Sequence, residues 1–257
     1  MRKSLIAAPG LALFFGIAGC EQEGGAERAG EQVDQAVEQA GDGMYEEVEI
    51  SNGGAIKGKV TYHGRVPMRT IIPTKNQDIC GGMREEPEIR VGAGGGVQDA
   101  VVYLEDIDQG KAWEKQTETP QIDNKDCTFK PYIQVIQPGD FNIHNSDPIL
   151  HNTHGFYGRR TAFNLALPKK GQTIHEQLKR PGQVRIECDA HGWMLGWVYV
   201  AETPYYELTG DDGSFTIDDV PPGEYTLVAT QSLVGDFEQK VTVKGGETAT
   251  LDIEMKE

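Results

Sequence analysis

From residue 47 to the C-terminus, apolar and polar residues alternate with a period of two, and the runs break at Gly, Pro, Asn and Asp. Successive side chains on an extended strand point to opposite faces, so this period buries one face and wets the other. The chain is therefore predicted to be all-β. AIKGKVTY (55–62) alternates and ends at a His-Gly turn, and QDAVVYLEDI (98–107) is apolar enough for a core strand. Glycine-rich GAGGG (92–96) separates them, while residues 63–91 read as irregular. FKPYIQVIQPGDFNIHNSD (129–147) is predicted as two strands joined at Pro138-Gly139. GQVRIECDA (182–190) leads one strand into a short loop, and LGWVYVAE (195–202) leads the next one out. Further on, YYELT, SFTI, EYTLVAT, FEQKVTV and ETATLDIEM are punctuated by turns at Asp211-Asp212-Gly213, Pro221-Pro222-Gly223 and Gly245-Gly246, the pattern of a small β-sandwich half.

The N-terminus follows a different grammar. Arg2 and Lys3 precede an apolar run from Leu5 to Ala18 that stops at Gly19-Cys20, the layout of an export signal over 1–20. The run is short for a membrane span of ~20 residues. Ile17-Ala18-Gly19-Cys20 resembles the bacterial lipobox, which implies lipidation of Cys20 and a protein held at a membrane surface of the bacterial cell envelope, periplasmic or surface-exposed. A signal without lipidation is the alternative. Residues 21–46, rich in Glu, Gln, Gly and Ala, are expected to form a flexible acidic tether. The formal net charge is −16, and loss of Arg2 and Lys3 with the signal makes it more negative. Such a surface argues against nucleic acid as a partner. It would steer a basic redox protein, such as a c-type cytochrome, toward itself.

The chemistry concentrates in CDAHGWM (188–194), which offers a thiolate, an imidazole and a thioether at Cys188, His191 and Met194, with His151 upstream in LHNTHGF. Cys, two His and a distant Met hold copper in a trigonal geometry: sulfur favours Cu(I), and imidazole tolerates Cu(II). With Cys20 spent on lipid, Cys80, Cys127 and Cys188 remain, an odd number in an exported chain. A Cys80–Cys127 disulfide with Cys188 on the metal is the economical reading; pairing of Cys188 with one of the others stays open. His154 and His144 compete with His151, but His151 and His154 face opposite sides of an alternating strand. Asn152 is a candidate to lock the two ligand segments together, and Trp193 and Trp197 are candidates to screen the metal from water.

Two family resemblances bear on this. FKPYIQVIQPGDFNIHNSDPILHNTHGF followed by KRPGQVRIECDAHGWMLGWVYV resembles the cupredoxins, which implies a Greek-key β-sandwich with one mononuclear type 1 copper held by His151, Cys188, His191 and Met194. Gly192 stands where related loops often carry proline. GDDGSFTIDDVPPGEYTLVAT resembles the later strands of the carboxypeptidase regulatory-like (transthyretin-like) sandwich, whose opening strands have counterparts far upstream in IKGKVTYHGRVP and VQDAVVYLED. The two sandwiches are thus expected to be interleaved. The expected layout is strands of the second sandwich at 47–97, a cupredoxin-like copper domain at 98–203 and the regulatory-like sandwich at 204–257.

The leading expectation is a membrane-tethered electron carrier rather than an enzyme. Its alternatives are a copper-binding or delivery lipoprotein, which would bind Cu(I) without intense colour when oxidised, and a structural or ligand-binding envelope protein. No His-Glu-x-x-His pair is present for a zinc peptidase. Zinc on Cys80, Cys127 and Cys188 lacks the close paired spacing of structural zinc sites.

Overall fold

The structure, a computed structural model, describes residues 45–256; the expected export signal at 1–20, Cys20 and the expected tether through residue 44 lie outside the described residues. The described chain is nearly all β, interrupted by the one-turn helix Gln77–Cys80 and the 3-10 turn Ala93–Gly95. Among the described residues no helix is long and apolar enough to cross a membrane.

The strands enclose two hydrophobic cores. One lies between a sheet ordered Tyr206–Leu208, Val101–Glu105, Gly223–Gln231, Gly235–Val243 and a second built on Gly54–Tyr62, which is flanked by Ser214–Val220 on one side and by Thr248–Thr250 and Ile253–Met255 on the other. Alternation explains the packing: Ile56, Val60 and Tyr62 point inward to meet Val102, Leu104, Phe215, Ile217, Leu227 and Ala229. Each buried Val, Leu, Ile or Phe among them is worth about 1.5–3 kcal/mol. Gly58 is required here, because a Cβ would stand 1.9 Å from the carbonyl oxygen of Leu251 on the neighbouring segment.

The other core lies between the sheet Thr128–Lys130, Gln121–Lys125, Gly139–Asn145, Gln172–Leu178 and the sheet Ile133–Ile136, Leu195–Val200, Gly182–Glu187, His151–Tyr157, Arg160–Leu167. Ile122, Phe129, Phe141, Ile143, Val184, Ile186 and Val198 fill it.

The interleaving is physical: Gly54–Tyr62 and Val101–Glu105 find their sheet partners beyond residue 205. It also moves the boundaries expected above. The strand Val101–Glu105 pairs with Tyr206–Leu208 and Gly223–Gln231, so residues 98–107 belong to the first sandwich described above and the site-bearing sandwich begins near Gln121 rather than at 98. Nor do residues 47–97 lie wholly in the other sandwich. The stretch read as irregular forms the hairpin Met68–Ile71/Arg84–Pro87, and between its arms Ile79 and Cys80 pack on the site-bearing core. Residues 129–147 form three strands rather than two, because Pro131 removes a ladder donor between Thr128–Lys130 and Ile133–Ile136. Two further strands, Arg160–Leu167 and Gln172–Leu178, complete the site-bearing sandwich.

Candidate metal centre

Gly182–Glu187 and Leu195–Val200 are adjacent antiparallel strands, so the turn 188–194 is clamped at both ends. Within it the N–H of His191 donates to the Cys188 carbonyl (3.0 Å) and the N–H of Met194 donates to the His191 carbonyl (2.9 Å), which folds the segment back twice. His151 opens the strand His151–Tyr157, which runs antiparallel to Gly182–Glu187 and brings the upstream histidine to the same end. His151 and Thr153 face inward, whereas His154 faces the other way and places Nδ1 3.1 Å from Asp189 Oδ1. His144 and His175 bond Thr173 and Asn142 instead.

Three donor atoms converge. The Nδ1 atoms of His151 and His191 are 3.2 Å apart, and Cys188 Sγ lies 3.8 Å from the first and 3.6 Å from the second. All three residues are buried. The point equidistant from the three atoms is about 2 Å from each, the bond length of nitrogen and thiolate to a first-row metal. The thioether of Met194 is buried in the core that also holds Cys188. The donor set and the spacing therefore fit one copper ion.

The surrounding hydrogen bonds aim these atoms. His151 Nε2 lies 2.9 Å from Asp147 Oδ2, and His191 Nε2 lies 3.1 Å from Asn76 Oδ1. With Nε2 donating in both rings, both Nδ1 lone pairs point into the triangle. Asp147 also accepts the N–H groups of Asp126 (2.8 Å) and Cys127 (2.9 Å), the two left-handed residues of the hairpin turn between Gln121–Lys125 and Thr128–Lys130. Cys127 is joined to Cys80 in a disulfide, leaving Cys188 as the free thiol among the described residues. That bond also takes Cys80 and Cys127 out of any zinc set.

Asn152 stands between the ligand segments: its N–H donates to Cys188 Sγ (3.4 Å), and its Oδ1 accepts the N–H of Asp189 (3.3 Å). The ring of Trp193 meets that of His191 edge-on at 5.1 Å and is half-buried. Burial dominates the electrostatics. Desolvation lowers the His151 pKa despite Asp147, and lowers that of His191, which also feels His151, to about 4. Desolvation raises the Cys188 thiol, against the hydrogen bonds from Asn152, His191 and Ala190. These shifts favour the uncharged forms of the three donors, two imidazoles and a thiol.

Sequence reasoning did not single out Asp147 or Asn76. Asp147 sits in NSDP, which reads as a turn, and Asn76 lies in a polar run without periodicity.

Residues 198–256 match the family model of the carboxypeptidase regulatory-like domain. A 61-residue stretch is 38% identical to a probable rhamnogalacturonate lyase A of Aspergillus flavus, covering 24% of this chain and 11% of that protein. The chain thus spans about a ninth of that relative's length. Among solved structures, it is similar to a purple cupredoxin from Nitrosopumilus maritimus, with 22% identity, TM-score 0.29, and coverage of 32% of this chain and 99% of that one. Amicyanin from Paracoccus versutus is similar at 16% identity, with TM-score 0.30 and coverage of 34% and 86%. A Cu-containing nitrite reductase from Thermus scotoductus is similar at 19% identity, TM-score 0.30, with coverage of 36% of this chain and 24% of that one.

Proposed function

We propose that His151, Cys188, His191 and Met194 would hold one copper ion, and that this protein carries single electrons in the bacterial cell envelope without acting as an enzyme. The observation that carries the reading is the buried triangle of two Nδ1 atoms and one Sγ, each about 2 Å from a common centre. Copper when bound supplies the one-electron redox couple. Asp147 and Asn76 hold the two imidazoles in a single orientation, and Asn152 donates to the cysteine sulfur and ties its turn to the His151 strand. The clamped strand ends keep the donors in place whichever charge the site bears. Lipid on Cys20 would hold the protein at the membrane, and its negative charge suits a basic partner such as a c-type cytochrome.

The test adds Cu(II) to the protein and to Cys188→Ser. Wild type should develop an intense visible thiolate-to-copper charge-transfer band, and the variant should not. A colourless copper complex of the wild type would sink electron transfer in favour of copper delivery.

A further inference from the structure

His191 lies in a turn between two strand ends, yet it is 1% exposed. Across its Nε2 edge lies Asn76, from a segment more than a hundred residues upstream. Asn76 precedes the one-turn helix Gln77–Cys80. Asparagine at that place ordinarily turns its side-chain oxygen onto the N–H of the second or third helical residue. Here the N–H groups of Ile79 and Cys80 are taken by the backbone carbonyl of Asn76 at 2.9 and 2.8 Å. The side chain makes no capping bond, the backbone is left-handed at φ 52°, and Oδ1 is spent on His191. An unusual backbone that releases a capping group for another partner points to a function for that group.

The segment carrying Asn76 is exposed along residues 74–78 and fastened at its ends. Cys80 is bonded to Cys127, Ile79 packs on the core that holds Cys188 and Met194, and the hairpin Met68–Ile71/Arg84–Pro87 joins its two ends. Cys127 in turn sits in the hairpin turn whose N–H groups bind Asp147, the partner of His151. One connected set of bonds thus orients both imidazoles.

We propose that Asn76 is a positioning residue for His191, and that the disulfide-tethered segment 72–83 is a cover over the His191 edge which must lift before the metal can leave. The proposal rests on the copper reading of His151, Cys188 and His191. Chemically, an oxygen acceptor at Nε2 selects the tautomer that carries its proton there and directs the Nδ1 lone pair at the centre. Without it the ring is free to place its proton on Nδ1, which closes that donor to a metal.

The test compares the full chain with Asn76→Ala, Asn76→Asp and the double variant Cys80→Ala/Cys127→Ala. Nitrogen NMR of the metal-free proteins reads the His191 tautomer, and transfer of Cu(I) to a chromophoric chelator reads release. Wild type should show the Nε2–H form. Asn76→Ala should lose it and release Cu(I) about tenfold faster or more, the loss typical when a partner of a ligating histidine is removed. Asn76→Asp, which keeps the oxygen, should restore both at the wild-type melting temperature. The double variant should also release Cu(I) faster. An unchanged tautomer and release rate in Asn76→Ala would overturn the role of Asn76, and an unchanged release rate in the double variant would overturn the cover. Failure of wild type to bind Cu(I) would sink the copper reading alone, since the tautomer comparison needs no metal.

Discussion

The Nδ1 atoms of His151 and His191 face each other at 3.2 Å while their Nε2 atoms are held by Asp147 and Asn76. Two lone pairs aimed at one buried point repel unless a cation lies between them, so the hydrogen bonds that orient the rings also prepare a cation site. Folding without metal maintains this arrangement because neither ring is charged: burial has lowered both pKa values, that of His191 to about 4.

Proton release on copper binding follows from these shifts. At pH 7 the imidazoles have no proton to lose from Nδ1, whereas burial raises the Cys188 thiol, which therefore enters protonated. Metal binding deprotonates a coordinating thiol outright. One proton should leave per copper bound, measured by calorimetry in buffers of different ionisation enthalpy. Release of two or more would mean that an imidazole is charged in the free protein.

Acid should destabilise the metal-free protein through the same two histidines. Their folded pKa values lie below the ordinary 6.5, so the unfolded chain binds more protons between the two values and stability rises with pH there. The contribution is complete above about pH 6.5. It is lost as pH falls toward the His191 value of about 4. Thermal melts of the metal-free protein should fall across this window, and His191→Gln should flatten the fall. A melting temperature constant from pH 6.5 to 4 would refute the assignment.

Asp147→Asn should weaken both the fold and the site. The carboxylate accepts from His151 Nε2 and from the N–H groups of Asp126 and Cys127 at 4% exposure. An amide has only one oxygen for these three donors and turns its own N–H groups toward at least one of them. A buried donor left without a partner costs about 1–3 kcal/mol. The expected outcome is a lower melting temperature together with about 10–100-fold weaker copper binding. Equal loss of stability without loss of affinity would confine Asp147 to holding the hairpin turn.

Much of this was legible in the chain, for a physical reason. Alternation reports burial on one face, so Gly54–Tyr62, Val101–Glu105, Gly182–Glu187 and Leu195–Val200 stand out as strands. His151, Cys188 and His191 are few and chemically distinctive, and they converge because their strands are neighbours. Asp147, which is buried, and Asn76, which is exposed, were not legible, since a polar letter does not say which group will lie across the fold from it. Their roles come from contacts across the fold, and Asn76 reaches His191 over a sequence distance that no local pattern records. The domain boundary near Gln121 was hidden for the same reason: Val101–Glu105 adjoins the site-bearing sandwich in sequence but takes its hydrogen bonds from Gly223–Gln231.

That long-range pairing makes the last prediction. If the chain is cut after residue 203, Gly54–Tyr62 loses Ser214–Val220, Thr248–Thr250 and Ile253–Met255, and Val101–Glu105 loses both Tyr206–Leu208 and Gly223–Gln231. Each strand is left with two open edges and an apolar face that includes Ile56, Val60, Val102 and Leu104. Unpaired hydrophobic edges recruit other chains. A protein ending at residue 203 should therefore aggregate or bind a hydrophobic dye strongly, although every candidate ligand for copper is still present. Adding residues 204–257 as a separate peptide should restore solubility if the strands pair as described. A truncated chain that stays monomeric and melts cooperatively without the peptide would show that the site-bearing sandwich folds independently of the strands interleaved with it.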